Sequence, residues 1–183
     1  MVAYLLLIVA VLSRFLPLAA GLFHATWMNF TAVGAVLLYF GARRNWREML
    51  APLAVLAATD YLMTTVVYHY SFQLAWYVPT WIWYVAAMAL GRILLGEQST
   101  AGRVVAAILL GPTSFFVVSN FAVWTASNMY AHSLQGLVAC YTAAIPFYRN
   151  DLISTGLLAV AIFGIEAWLL SQRPKPAPVL VRK

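Results

Sequence analysis

The sequence predicts an all-α membrane protein with six transmembrane helices and a re-entrant or interfacial helix between the fifth and sixth. Apolar residues make up 64% of the 183 residues and charged residues only 9%, whereas soluble domains carry roughly 25% charged residues. The mean hydropathy of +0.84 agrees. The basic residues gather at the ends of apolar runs, as the positive-inside rule predicts for the loops of a multi-pass protein.

The chain is predicted to form one unit, because no linker is long enough to separate two domains. Residues 1–171 form the transmembrane domain, and residues 172–183 form a basic, proline-rich cytoplasmic tail. The first apolar run lacks a basic n-region, so we expect it in the mature protein rather than in a cleaved signal peptide. The lipid bilayer is the partner that composition predicts. A nucleic-acid partner is not expected, since no basic face lies on a soluble element.

The first two spans are the shortest. Span one is predicted over Val2–Leu16 and is ended by Pro17. Span two, Asn29–Ala42, is about 21 Å long as a helix, which is less than the roughly 30 Å of a hydrocarbon core. It must therefore extend into its flanks, lie within protein, or rely on the snorkelling side chains of Arg43 and Arg44.

The other spans follow from longer apolar runs, at Met49–Tyr68, Leu74–Leu95, Val104–Ala126 and Leu152–Leu170. Aromatic residues cluster at the start of the fourth span, as is typical of an interfacial belt. The half-apolar segment Leu134–Tyr148 remains. If it crossed the bilayer, the basic tail would lie outside. The positive-inside rule therefore favours a re-entrant or interfacial element here, with both termini in the cytoplasm.

Polar residues within the spans gather toward the outer side. Asp60 is the strongest signal, because a carboxylate at mid-span costs about 2.5–3.5 kcal/mol on insertion scales. It is either an acceptor or counter-ion for a ligand, or a structural partner of Arg14. Asn120 either recognises the edge of a ligand or forms an interhelical hydrogen bond, commonly worth about 0.6 kcal/mol. Trp124 lies on the same helical face as Asn120. An aromatic side chain beside an amide is typical of pockets and of core packing alike.

These residues predict an outward-facing polar pocket. Leu134–Tyr148 is expected to cover the pocket as a lid, hinged at the corner formed by Arg149, Asn150 and Asp151. The candidate ligand-binding residues are Asn29, Asp60, Trp76, Asn120, Trp124, Tyr141, Arg149 and Asn150.

No metal, cofactor or catalytic activity is predicted. His24, His69 and His132 lie in connectors, and none has a second histidine at helical spacing, as a metal site commonly requires. Cys140 with His132 and Asp151 is the one triad that composition allows, but its segment has neither a nucleophile elbow nor an oxyanion motif. Cys140 is the single cysteine, so no intrachain disulfide can form.

Four sequence blocks resemble a family of small bacterial integral-membrane proteins catalogued as a domain of unknown function. They read LSRFLP, NFTAVGAVLLYFGA, NFAVW and GLVACYTAAIPFYRN, and the resemblance runs from Ser13 to about Leu170. The six-span design is similar to the S components of energy-coupling-factor vitamin transporters.

The similarity to S components implies a substrate-binding subunit in the bacterial cytoplasmic (inner) membrane. It would serve uptake of a small vitamin-like or heterocyclic solute, with a transmembrane coupling protein and ATPases as partners. The alternative that the residues leave open is an accessory or structural subunit of a larger membrane complex, with no ligand of its own.

Overall fold

The computed structural model of the chain describes residues 1–19, 29–97 and 99–172. A 3₁₀ turn (Trp46–Met49) precedes the helix Leu50–Leu62, and a π-helical turn (Met63–Val67) follows it. The predicted all-α class is confirmed, while the predicted tail after residue 172 lies outside the described residues. The helices are α1 (Val2–Ala19), α2 (Val33–Arg43), α3 (Leu50–Leu62), α4 (Leu74–Leu95), α5 (Ala101–Ala126) and α6 (Leu134–Ser171).

Four helical segments are long and apolar enough to cross a membrane, and two apolar helices are shorter, so the chain is a multi-pass membrane protein. The long segments correspond to the third to sixth predicted spans. The first helix continues to Ala19, past the predicted end at Pro17. The long segments are Trp46–Val67, Leu74–Leu95, Ala101–Ala126 and Leu134–Ser171, and the shorter helices include Val2–Phe15 and Val33–Arg43.

Contacts at both ends of α1 show that it runs antiparallel to α2. Near its start, the Tyr4 hydroxyl donates to Glu48 Oε2 at 2.6 Å, just after the end of α2. Near its other end, the Ser13 hydroxyl accepts from the backbone N–H of Ala32 at 2.9 Å. That bond also satisfies an otherwise unpaired donor at the start of α2.

The last helix returns to the end of the bundle from which α1 starts. Arg43, at the end of α2, forms an ion pair with Glu166 near the end of α6. The described helices therefore alternate in direction, as six predicted crossings require. We call this end the basic end and the opposite end the distal end. The basic end carries Arg43, Arg44, Arg47, Arg92 and Arg103.

The short helix α2 lies within protein, as one of the three alternatives for span two requires. Its residues Val33–Gly41 are all buried. Arg43, at the end of α2, also makes its contacts within the protein. It donates to both carboxylate oxygens of Glu166 at 2.7–3.0 Å, to Leu95 O at 2.7 Å and to Ser99 Oγ at 2.6 Å. The acceptors come from α4, α6 and the loop after α4, so the guanidinium is hydrogen-bonded without reaching the membrane–water interface.

The predicted re-entrant element Leu134–Tyr148 and the sixth span belong to one continuous helix, α6. This helix has 38 residues and is about 57 Å long. Pro146 lies inside it without ending it. The predicted lid and its hinge at Arg149–Asp151 are therefore wrong. Leu134–Tyr148 adds no separate crossing, as predicted, because α6 does not turn back on itself.

Packing against α5 keeps the first half of α6 helical. The Tyr141 hydroxyl donates to Val117 O at 2.7 Å, and the hydroxyls of Thr113 and Tyr148 are hydrogen-bonded at 2.9 Å. The Phe116 ring lies between the two tyrosines, with ring centroids 5.3 Å from Tyr141 and 4.7 Å from Tyr148. These contacts join α5 and α6 into a long antiparallel hairpin.

The backbones of α2 and α4 nearly touch at two glycines. A Cβ on Gly41 would lie 1.9 Å from Met88 O, and one on Gly91 would lie 2.1 Å from Leu38 O. Small residues allow such close approach between membrane helices. At these two positions any side chain would force the helices apart.

We therefore expect Gly91→Ala to lower the free energy of unfolding by about 1–3 kcal/mol, the usual range for overpacking. The measurement is thermal unfolding of the detergent-solubilised protein, followed by size-exclusion chromatography. Gly164→Ala on α6 is the matched control, since a Cβ there meets nothing within 4 Å and alanine is the better helix former. Equal stability of the two variants would contradict the close approach.

Candidate ligand-binding site

Asp60 is buried, with 4% of its surface exposed, and both of its carboxylate oxygens have donors. Arg14 Nη2 forms an ion pair with Oδ1, and Trp81 Nε1 donates to Oδ2 at 2.8 Å. The Tyr84 hydroxyl lies 3.4–3.5 Å from both oxygens. Arg14 also donates to Leu56 O at 3.3 Å. This network joins α1, α3 and α4, so the structural interpretation of Asp60 is the one that its contacts support.

The π-helical turn begins just after Asp60 and directs a hydroxyl toward α4. The backbone N–H of Tyr68 donates to Met63 O at 2.8 Å, five residues earlier. The Thr64 hydroxyl donates to Asp60 O at 2.7 Å and is hydrogen-bonded to the Tyr77 hydroxyl. Single π-helical turns are frequent at functional sites. Here the turn places Tyr77 beside the Asp60 network.

Three adjoining cavities lie beyond the start of α2, and we call them together the cleft. The first has a volume of about 210 Å³ and borders the Asp60 network. The second, about 270 Å³, lies between α5 and α6, and shares Asn29, Phe115 and Asp151 with the first. The third, about 200 Å³, lies between α4 and α5 toward the distal end. It shares Thr80 with the first and Ser119 with the second.

The cleft reaches the volume of a typical ligand pocket only as a whole. Each cavity is smaller than the roughly 300 Å³ at which ligand pockets begin, but the adjoining volumes together exceed that size. The walls combine aromatic faces with a few polar groups, which is the usual composition of such pockets. Asp151 is the charged group that the first two cavities have in common.

Asp151 differs from the other acidic residues of the chain. It is 7% exposed, and the hydroxyl of Thr155 donates to its Oδ1 at 3.3 Å. Three of the five acidic residues form ion pairs and a fourth, Glu97, is exposed in a loop. Within the described ranges, Asp151 is the buried carboxylate without an ion pair. The paired acids are Glu48 with Arg44, Asp60 with Arg14, and Glu166 with Arg43.

The cleft reaches deeper than the predicted outward-facing pocket. Asp151 lies about 25 Å along α6 from Leu134 and about 30 Å from Ser171. It is therefore near the middle of the helix. The prediction placed it at the outer start of a span, because it assumed a break in the chain that α6 does not have.

Four of the predicted site residues line the cleft. Asn29 lies in the wall shared by the first two cavities, and Asp60 lines the first. Asn120 lines the second cavity, and its Nδ2 donates to Phe116 O at 2.7 Å within its own helix. Trp76 lines the third cavity near its rim and is 58% exposed.

The other four predicted residues lie outside the described walls of the cleft. Trp124 Nε1 donates to Ala131 O at 2.9 Å in the loop before α6, and the Tyr141 hydroxyl of α6 bonds to α5. Arg149 is exposed and Asn150 is buried. The predicted hinge grouped these two with Asp151, but the helical turn gives each of the three a different direction.

Sequence reasoning missed the position of Asp151 in the cleft wall and the donors around Asp60. Asp151 is followed at three and four residues by Ser154 and Thr155, which places three polar groups on one helical face. That stripe was a usable signal. Trp81 and Tyr84 gave no such signal, because the prediction assigned the aromatic residues of the fourth span to an interfacial belt.

A family model described as a family of unknown function (DUF6580) matches residues 1–178. The chain belongs to this family. No curated protein and no solved structure shows significant similarity to it. Membership assigns no function to the cleft, so the chemistry of this DUF6580 member has to be argued from its own geometry.

The Arg14–Asp60 pair should behave as a buried structural pair. We expect Arg14→Met or Asp60→Asn alone to lower the free energy of unfolding by about 3–5 kcal/mol, because each leaves a buried group without its partner. The double variant should lose much less than the sum of the two. Thermal or denaturant unfolding of all four proteins measures this coupling.

The control is the same cycle on Arg44→Met and Glu48→Gln, a half-exposed pair at the basic end. It should show little coupling, since water screens exposed ion pairs. Additive losses for the Arg14–Asp60 pair would contradict its structural role.

Proposed function

We propose that the protein binds a small polar solute within the membrane, as the substrate-binding subunit of an uptake system. The observation that supports this best is the position of Asp151. This buried carboxylate, which has no ion pair among the described residues, lies in the shared wall of two cavities. An intramembrane carboxylate is costly and is functional by default. For Asp60, the ion pair with Arg14 offsets that cost, whereas Asp151 has no such partner among the described residues.

The size of the cleft suits a small heterocycle or amine. An engineered apolar cavity of 150 Å³ holds one benzene molecule, so cavities of about 210 and 270 Å³ each hold a ligand of about ten non-hydrogen atoms. Asn29 and Asn120 offer amide donors and acceptors, and Phe115 offers an aromatic face to both cavities. A vitamin-like solute has these dimensions and this mixture of polar edges and flat faces.

Charge favours a cytoplasmic location for the basic end. Arg44, Arg47, Arg92 and Arg103 lie there, and the positive-inside rule assigns such loops to the cytoplasm. The third cavity, near Trp76, then lies toward the outside. A solute would enter from that side and reach Asp151, which suits uptake through the bacterial cytoplasmic membrane.

Uptake would need an energy source outside this chain. In the proposal this is a transmembrane coupling protein with ATPases, as in the transporters whose S components the sequence resembles. The alternative is an accessory subunit without a ligand. The Arg14–Asp60 network supports this alternative, because both oxygens of that buried carboxylate already have donors within the protein.

Filling the cleft should block binding without unfolding the protein. Ala144 is buried and lines the second cavity, and we expect Ala144→Phe to weaken solute binding by about tenfold or more. Ala143→Phe is the matched control, since this neighbour is exposed on the outer face of α6. The measurement is a thermal-shift screen of the wild type against vitamins and their precursors, followed by titration of each hit with both variants.

A hit that binds both variants equally lies outside the cleft and contradicts the proposed site. If no solute shifts the wild type, the binding function fails and the accessory role is favoured.

The partner proposal has its own test. We expect mild-detergent pull-down of the tagged full chain from its native membrane to recover ATPase subunits with a membrane-spanning protein, together with vanadate-sensitive ATP hydrolysis. The Ala144→Phe variant should retain these partners, because its substitution is internal. Recovery of a complex without ATPases would instead identify an accessory subunit.

A further inference from the structure

We infer that the solute bound in the cleft carries a positive charge and that Asp151 is its counter-ion. The inference rests on the proposed binding function and names the ligand class for that site. Protonated amines and cationic heterocycles are the chemistry that such a site would recognise.

The first argument is the charge of the cleft wall. Arg14 and Asp60 both line the first cavity, but they form an ion pair, so their opposite charges cancel. Asp151 remains, so the described wall carries one net negative charge. The start of α2 borders the same cavity through Val33 and Gly34 and contributes about half a positive charge from its helix dipole. That partial charge lessens the imbalance but does not remove it.

The second argument is the hydrogen bonding of Asp151. An ionised carboxylate has two oxygens and about four lone-pair sites. In the described part of the chain, one hydroxyl, that of Thr155, donates to Oδ1 at 3.3 Å. Asp60 is satisfied by donors from three side chains. No described residue donates to Oδ2 of Asp151, which can therefore accept a bond from a ligand N–H.

The third argument is the aromatic lining. Phe115 lies in the wall of both cavities that contain Asp151. Its ring packs 4.6 Å from that of Trp83, and Phe116 lies 4.7 Å from Tyr148 on the other side. Aromatic faces attract cations through their quadrupole. A carboxylate beside several aromatic faces is selective for a cation over a neutral molecule of equal shape.

The decisive experiment compares ligands that differ in charge but not in shape. The probes are choline with its neutral isostere 3,3-dimethyl-1-butanol, and phenethylamine with 2-phenylethanol. Each is titrated into the wild-type protein in detergent by thermal shift and by tryptophan fluorescence. We expect the cation of at least one pair to bind about tenfold or more tightly than its neutral isostere. This comparison needs no variant.

A variant then assigns the selectivity to Asp151. Asp151→Asn keeps the size of the side chain and should abolish the cation preference while leaving the affinity for the neutral isostere unchanged. Glu97→Gln is the control, because it removes the same formal charge from an exposed loop residue. It should leave the preference intact. Retention of the preference in Asp151→Asn overturns the inference.

Three further outcomes overturn it. Neutral isosteres that bind the wild type as tightly as the cations show that Asp151 is no counter-ion. A stability coupling between Asp151→Asn and His24→Asn shows that the chain itself supplies the charge, since His24 is the one ionisable side chain of residues 16–28. Conversely, a neutral or anionic solute that is sensitive to Ala144→Phe but not to Asp151→Asn sinks the cation inference and leaves the binding function standing.

Discussion

The short length of α2 is the constraint on which the rest of the structure depends. A helix of 11 residues is about 16 Å long and cannot reach across a core of roughly 30 Å. Its free backbone ends must be satisfied by protein, since lipid offers no hydrogen bonds. Ser13 does so at one end, and Arg43 fixes the other to α4 and α6. The longer helices continue past the start of α2 toward the distal end. The cleft is the space between them there.

The buried acidic residues are of two kinds: some form ion pairs between helices, and one lines the cleft without an ion partner among the described residues. The pairs Arg14–Asp60 and Arg43–Glu166 lie near opposite ends of α2, and each joins neighbouring helices. Each is completed by hydrogen bonds from other helices, as buried ion pairs require. Asp151 lies near the level of the first pair, in the wall of the cavity that Arg14 and Asp60 also line. The two kinds of carboxylate are thus distinguished by their partners, and not by their depth.

The sequence predicted well what depends on local composition. The apolar runs of the third, fourth and fifth spans begin and end within a few residues of the observed helices, because each run alone is long enough to cross a bilayer. Prediction from the sequence failed where the structure depends on contacts between residues far apart in the chain. Whether Pro146 ends a helix is decided by the packing of Tyr141 and Tyr148 on α5. Whether Asp60 is available is decided by Trp81, on another helix.

The contact between the backbones of α2 and α4 also determines which parts can move. Two helices touching at Gly41 and Gly91 cannot slide past each other, because packed interfaces are bistable rather than continuously deformable. The α5–α6 hairpin is tied to these two helices by the hydrogen bond of Trp83 Nε1 to Gly111 O at 3.2 Å and by the Arg43–Glu166 ion pair. Both ties lie nearer the basic end than Ser119 does. A wider passage beside Ser119 would therefore require movement of the distal half of the hairpin, and not sliding of α2 along α4.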